Sequence, residues 1–367
     1  MAALPTTMRA LAAPKSCLPS EYELIDFPVP EIKSPNEVLI RVHAASLITG
    51  DTQIARNASK WLGHPLEYPF IPGLQGSGIV EQVGTGVSNI RPGDAVYGAS
   101  SKHPFLPYHY PALAAEYAVM PAEGLILKPP QVSFEDAASL PGYTVTALQC
   151  FRKGLEMMGL DSLQGKTVIV PAALGGAGSV GCQVAKRVYG AEKVITSLST
   201  AKMPMVEKHL GLGIIDQAVD YTKGGLNEIE DGVADLVYAT QWSAPEYFRK
   251  VDSEKGVIVS IATVPPSRLL RQTVGKENIP FWLAWIVDAI QLWYAWLLRG
   301  TRRRMEFVSG NLGVREDLET IGEWVATGKI KPVTTVVDLC DIETVRREMM
   351  KVSSGHGGVG SLVLKIV

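Results

Sequence analysis

The sequence predicts an α/β chain in two parts, a β-rich domain and a doubly wound parallel sheet. Three features predict it. Up to about residue 145, apolar and polar residues alternate in short runs among dense prolines. Beyond Gly165, strand-like, turn-like and helix-like segments follow one another in repeating order, the pattern of a parallel sheet with helices on both faces. A G-x-G-x-x-G run, Gly176 to Gly181, falls between the first of those strands and the helix after it.

In chain order, Glu37 to Ala44 alternates with the period-two signature of a half-buried strand. Gly78 to Val83 is a short strand ended by the turn Gly84-Thr-Gly86, and Pro92-Gly93-Asp94 turns the chain into Ala95 to Tyr97. Tyr117 to Met120 reads as a further strand, and the whole region suits a small twisted barrel or sandwich. Ser133-Phe-Glu-Asp136 carries a helix-start signature, a serine cap followed by acidic residues. Thr167 to Ala173 is an apolar run of buried-strand length, and Ser179 to Tyr189 follows with helical spacing. Lys193 to Ser197 reads as strand, Met203 to Leu210 as helix, and Ala234 to Ala239 and Gly256 to Ile261 as buried strands. Toward the end, Asp317 to Thr327 and Asp341 to Val352 read as helices, Thr334 to Leu339 and Ser361 to Val367 as strands.

At about 150 residues per domain, 367 residues make two domains or three. With 35 basic and 37 acidic residues the net charge is −2, which does not suit a nucleic-acid binder. The four cysteines are far apart, so neither a disulfide framework nor a zinc ribbon is expected. No secretory signal is visible before Cys17, and the expected location is cytoplasmic, with peripheral attachment to an intracellular membrane left open.

The glycine run has a specific physical use. In a dinucleotide site the first glycine permits a tight turn, the second lets backbone approach a pyrophosphate, and the third brings helix and strand together. The phosphates then meet free N–H groups at the positive end of the helix dipole. Gly176, Ala177, Gly178, Ser179, Val180 and Gly181 are the candidate cradle. An NAD site places an acid about 20 residues further on to hold the ribose hydroxyls. Here that stretch, Thr196 to Lys202, contains no acid but offers Ser197, Ser199 and Lys202. Hydroxyl donors and a cation suit a 2′-phosphate, so NADPH is the expected cofactor.

Over nearly its whole length the chain resembles the medium-chain dehydrogenase/reductase superfamily. The resemblance runs through Pro69 to Gly84, Pro92 to Gly98, Ala137 to Pro141 with Thr146-Ala147, Gly175 to Lys186, Asp220-Tyr221 and Gly360 to Leu364. It implies a GroES-like catalytic domain over 1–145 and 313–367 and a Rossmann domain over 146–312. It also implies that Tyr221 helps hold the adenosine phosphate and that Thr146 lies near the nicotinamide. Zinc-dependent members carry a cysteine three residues before an aspartate, and a His-Glu pair. Ile48, ahead of Asp51, and Leu74-Gln75 stand in those places here, and neither isoleucine nor leucine ligates zinc. The resemblance is therefore to the zinc-independent quinone oxidoreductase and enoyl reductase branch, and no metal is expected. His43, His64, His103 and His109 read as ordinary structural or surface histidines.

Without a Lewis acid, a C=C conjugated to a carbonyl is the easier bond to reduce, because hydride addition leaves the charge on oxygen. The expected function is NADPH-dependent, metal-independent reduction of such a bond (enone, quinone or enoyl thioester) in an apolar small molecule. Two alternatives stay open: a tailoring enzyme of the same fold, including one with non-redox chemistry, and a membrane-associated NADPH-binding protein without turnover. Some zinc-free relatives place a tyrosine eight residues after the aspartate, where this chain has Ser59, and an asparagine where it has Ile48. Thr49, Tyr143 and Thr146 are the remaining pocket candidates.

Seven tryptophans are present, and four of them (Trp282, Trp285, Trp293, Trp296) lie within Ile279 to Leu298, where only Asp288 and Gln291 are strongly polar. On a helix Ala284, Asp288, Gln291 and Ala295 share one narrow stripe, and the rest is apolar. Four arginines (Arg299, Arg302, Arg303, Arg304) follow. A membrane-spanning role is rejected, because flanking strands at Gly256 and Met305 should share a sheet. Four roles stay open: peripheral membrane contact, a lid over the substrate, a homodimer interface, and packing against the chain itself.

Overall fold

A computed structural model describes residues 4–56, 66–99 and 113–367. The chain forms two compact units, Met1–Gly142 with Asn311–Ala326 and Thr334–Val367, and Tyr143–Gly310 with Thr327–Val333.

The first unit opens with an antiparallel hairpin, β1 (Thr7–Ala12) on β2 (Glu23–Pro28). Strand β3 (Glu37–Leu47) is its spine. It runs three residues past the alternating stretch, because its last four residues are all buried and the period-two signal disappears there. Helix α1 (Thr49–Ala55) follows, then β4 (Gln75–Val83), β5 (Ala95–Ala99), β6 (Tyr117–Pro121) and β7 (Leu125–Leu127). Helix α2 (Phe134–Met158) starts at Ser133, whose hydroxyl accepts the Asp136 N–H at 3.0 Å. The boundary between the two units falls inside α2, at Gly142 and Tyr143, three residues earlier than the sequence reading places it.

The second unit is built on β8 (Thr167–Ile169), α3 (Gly176–Gln183), β9 (Lys193–Leu198), α4 (Val206–Leu210), β10 (Gln217–Asp220), β11 (Leu236–Ala239) and β12 (Val257–Ser260). Helices α5 (Ser267–Val274) and α6 (Phe281–Leu297) form the crossover to β13 (Arg304–Phe307). All pairings are parallel, in the order β10-β9-β8-β11-β12-β13. In strand numbers of this sheet alone that is 3-2-1-4-5-6, the doubly wound nucleotide-binding order. Its core joins Ile169, Ile195, Val219, Val237 and Ile258 from five strands.

The chain then returns to the first unit with α7 (Arg315–Ala326), β14 (Thr334–Asp338), α8 (Ile342–Ser354) and β15 (Ser361–Lys365). Strand β15 pairs antiparallel with β3 and completes the sheet β14-β15-β3-β4-β5-β7, with β6 also on β3. All four cysteines are free thiols. Among the described residues, no helix is long and apolar enough to cross a membrane.

Candidate dinucleotide-binding site

The site begins where β8 ends. The Val170 N–H donates to the Ile195 carbonyl (2.9 Å) and the Ala172 N–H to the Ser197 carbonyl (3.0 Å), so the turn stays tied to β9. Ala172 holds φ at +57°, a left-handed conformation that few non-glycine residues adopt. The Gly175 N–H then closes onto the Ala172 carbonyl at 2.7 Å. The first bond inside α3 runs from the Ser179 N–H to the Gly175 carbonyl at 2.9 Å. The N–H groups of Gly176, Ala177 and Gly178 precede it, at the positive end of the helix dipole.

Each glycine of the run is required by a neighbour within the same unit. A Cβ on Gly176 would enter the Tyr143 ring, and one on Gly178 would meet the Ala172 carbonyl oxygen. On Gly181 it would lie 2.6 Å from the Tyr238 ring and 3.0 Å from Val170. Gly181 thus has the expected part, close packing of helix on strand. The turn itself makes the demand at Gly178. Helix α3 also begins three residues earlier than the spacing suggests, so the glycines form its first two turns and hide the apolar periodicity. Ser179 is buried and its hydroxyl donates to the Gly176 carbonyl at 3.0 Å; Ala177 and Val180 are packed inside. A glycine-lined turn at the carboxyl end of the first strand, opening a helix beside the switch between β8 and β11, fits a dinucleotide diphosphate.

The adenosine-side candidates separate. Ser197 is buried, and its hydroxyl is 2.6 Å from that of Tyr247. Ser199 is half-buried, and its side chain does not cap the turn Thr200–Met205 that follows. Lys202 is half-buried in that turn and Tyr221 is 48% exposed. The structure adds an acid that the stretch Thr196 to Lys202 lacks. Asp220, at the end of the neighbouring strand β10, accepts hydrogen bonds from the Thr200 hydroxyl, the Thr222 N–H (3.0 Å) and the Thr222 hydroxyl (2.6 Å). Those hydroxyls, Thr200 first, hold its carboxyl below the usual range. Parallel pairing of Asp220 with Leu198 brings it there, and that register is invisible in a linear window.

Two other positions escaped the sequence reading. The Thr240 hydroxyl donates to the Pro171 carbonyl at 2.9 Å, bridging β11 to the glycine turn. Thr263, beyond β12, has a buried hydroxyl without a hydrogen-bond partner among the described residues. Neither belongs to a recognisable motif.

The catalytic candidates are divided between the two units. Tyr143 lies with its ring over Gly176, and Thr146 lies against Gly310, both in the second unit. Thr49 belongs to the first unit, where its hydroxyl donates to the Val352 carbonyl at 3.3 Å. Ser59, His64, His103 and His109 lie outside the described residues. His43 stacks on Phe134 with centroids 4.2 Å apart, and burial lowers its pKa.

The positions that zinc ligands would occupy are filled by other chemistry. Gln75 is fully buried; its amide oxygen accepts the Gly142 N–H and its amide nitrogen donates to the Ser46 hydroxyl at 3.1 Å. Leu74 is buried beside it. Asp51 is committed to backbone, accepting the N–H groups of Ile48 (2.8 Å) and Gly73 (2.9 Å). Burial pushes its pKa up to about 6 in spite of those bonds.

A nucleotide-type parallel sheet and a β-rich domain completed by the returning C-terminal segment define a two-domain dehydrogenase/reductase fold. The chain is similar to proteins of the medium-chain dehydrogenase/reductase superfamily, in its zinc-independent branch. Residues 34–130 match the family described as alcohol dehydrogenase GroES-like domain. The 2-methylene-furan-3-one reductase of Solanum lycopersicum is 35% identical over 239 residues, 65% of this chain and 58% of that protein. The chain thus spans less than two thirds of the length of that relative. Reticulon-4-interacting protein 1, mitochondrial, of Caenorhabditis elegans is 27% identical over 98% of this chain and 95% of its own length. The solved quinone oxidoreductase from Coxiella burnetii superposes with a TM-score of 0.75 at 26% identity, covering 98% of this chain and all of the other.

Proposed function

We propose that the protein is an NADPH-dependent, metal-independent reductase of a conjugated C=C bond in an apolar small molecule. The observation that carries this reading is the glycine turn at the end of β8, in a chain whose zinc-ligand positions hold Ile48, Leu74 and a hydrogen-bonded Gln75. The relatives named as an enone-type reductase and a quinone oxidoreductase support the substrate class. Bound NADPH would supply a hydride. The chain's own contribution is positioning. The first-turn N–H groups of α3 would hold the diphosphate, and Ser199 and Lys202, after β9, with Tyr221, after β10, would neutralise a 2′-phosphate. Tyr143 packs its ring over Gly176 in that turn.

The test is oxidation of NADPH in the presence of quinones, enones and enoyl thioesters, alongside a binding titration. Turnover with a member of these classes is expected. Tight NADPH binding with no turnover on any of them would transfer support to a non-redox tailoring reaction or a non-catalytic nucleotide binder.

A further inference from the structure

Helix α6 is attached to its domain by Asp288, Gln291 and Tyr294 together with a few small or aliphatic residues, and shows most of its large aromatic residues to solvent. Asp288 accepts the backbone N–H (3.0 Å) and the hydroxyl (2.7 Å) of Ser267. The Gln291 amide donates to the Val264 carbonyl at 2.5 Å, and the Val264 N–H reaches the Tyr294 hydroxyl at 3.4 Å. Tyr294 packs edge-on against Phe248, with Ala284 and Val287 also buried. These contacts fix the rotation of the helix. They leave Phe281 (77% exposed), Trp285 (78%) and Leu292 (73%) outside, with Trp282, Trp293 and Trp296 each about half exposed. At 3.6 residues per turn these six fall within an arc of roughly 120°.

The crossover that carries this arc is rich in basic residues, one of which, Arg302, pairs with Glu254 at 3.7 Å. Between Pro265 and Met305 there are seven Lys or Arg against two Asp or Glu, in a chain whose net charge is −2. Arg268, Lys276, Arg299, Arg302 and Arg304 are exposed and bracket the helix at both ends. The Arg299 guanidinium lies 4.8 Å from the Trp296 ring, so charge and aromatic surface meet at one point. Tryptophan favours the boundary between headgroups and acyl chains, and arginine keeps its charge at the phosphates above it. A second copy of the same face would bring the basic ends of two helices together without an acidic complement.

We propose that α6 docks the protein on an anionic phospholipid bilayer, with its aromatic arc in the interfacial layer and the flanking arginines on the headgroups. Binding of this kind needs both parts, apolar insertion and charge.

Flotation of the full chain with phosphatidylcholine vesicles, with and without about one third phosphatidylserine, tests this at about 0.1 M and about 1 M salt. The wild type is expected to float with the anionic vesicles at low salt, with a blue shift of tryptophan emission. The bound fraction should fall by about tenfold or more at high salt or without phosphatidylserine. Trp285→Glu with Leu292→Glu, and separately Arg299→Glu with Arg304→Glu, should each produce the same loss while keeping NADPH affinity and the thermal midpoint. Absence of flotation from anionic vesicles overturns the proposal, as does flotation unchanged by both pairs of substitutions. If the protein instead sediments as a dimer that Trp285→Glu dissociates, without vesicle binding, the face is a subunit interface and the proposal fails.

Discussion

Ser267 gives both its backbone N–H and its hydroxyl to the carboxylate of Asp288, at 3.0 and 2.7 Å. The acid on α6 therefore caps the first turn of α5, and the two helices of the crossover hold one another. Ser267's N–H and hydroxyl, in that order, keep the Asp288 carboxyl below the usual range. Asp288→Ala should cost about 1 kcal/mol, the worth of a helix cap, read as a drop of a few degrees in the thermal midpoint. Because the folded value is depressed, this contribution is complete above the ordinary carboxylate range near 4 and disappears as pH falls through the folded value. A midpoint difference between wild type and Asp288→Ala that does not shrink in acid would contradict the assignment.

Gly181 marks the closest approach of α3 to the sheet. Gly181→Val would drive side-chain carbon into Tyr238 and Val170, both fully or nearly fully buried. Overpacking of this kind costs about 1–3 kcal/mol or more. The expected result is a lowered midpoint in thermal unfolding together with weakened NADPH binding. Retention of both would mean that the helix can move off the strand without consequence.

Cofactor choice should be read at the end of β9. Lys202→Ala or Ser199→Asp is expected to weaken NADPH by about tenfold while leaving NADH within a factor of two or so, the signature of a lost or repelled 2′-phosphate. Fluorescence titration with both nucleotides checks this. Equal losses for the two would remove Lys202 and Ser199 from the phosphate site.

Asp51 should make stability depend on pH in the sense opposite to most carboxylates. Burial raises its folded pKa to about 6, so the folded chain holds that proton more tightly than the unfolded chain does. Ionising it in place opposes folding; the penalty is absent below the ordinary value near 4, grows through the window up to about 6, and reaches at most about 3 kcal/mol. The stability of wild type relative to Asp51→Asn should therefore decline as pH rises from about 4 to about 7. Denaturant unfolding at several pH values measures it, and a constant difference would show that the backbone bonds outweigh burial.

The architecture was legible because local signals repeat. Alternating strands and helices after Gly165 announce a parallel sheet, and Gly176 to Gly181 announces where its ligand edge lies, since only glycine fits the contacts of that turn. The missing zinc donors at Ile48 and Leu74-Gln75 were equally visible, because ligation depends on residue identity. Asp220 beside Thr200, Thr240 beside Pro171 and the orphan hydroxyl of Thr263 were not visible, since each is brought into place by a strand neighbour distant in sequence.

The tryptophan-rich segment shows the same division most clearly. Its composition and helical period are properties of the chain alone, and they predict a helix with a narrow polar stripe and a broad apolar face. Which face would turn inward is a matter of partners. The Ser267 N–H and hydroxyl and the Val264 carbonyl needed acceptors and a donor, and Asp288 and Gln291 met those needs. Hydrogen bonding to groups of the buried Ser267 and the half-buried Val264 sets the rotation of the helix, and the apolar arc is left facing water.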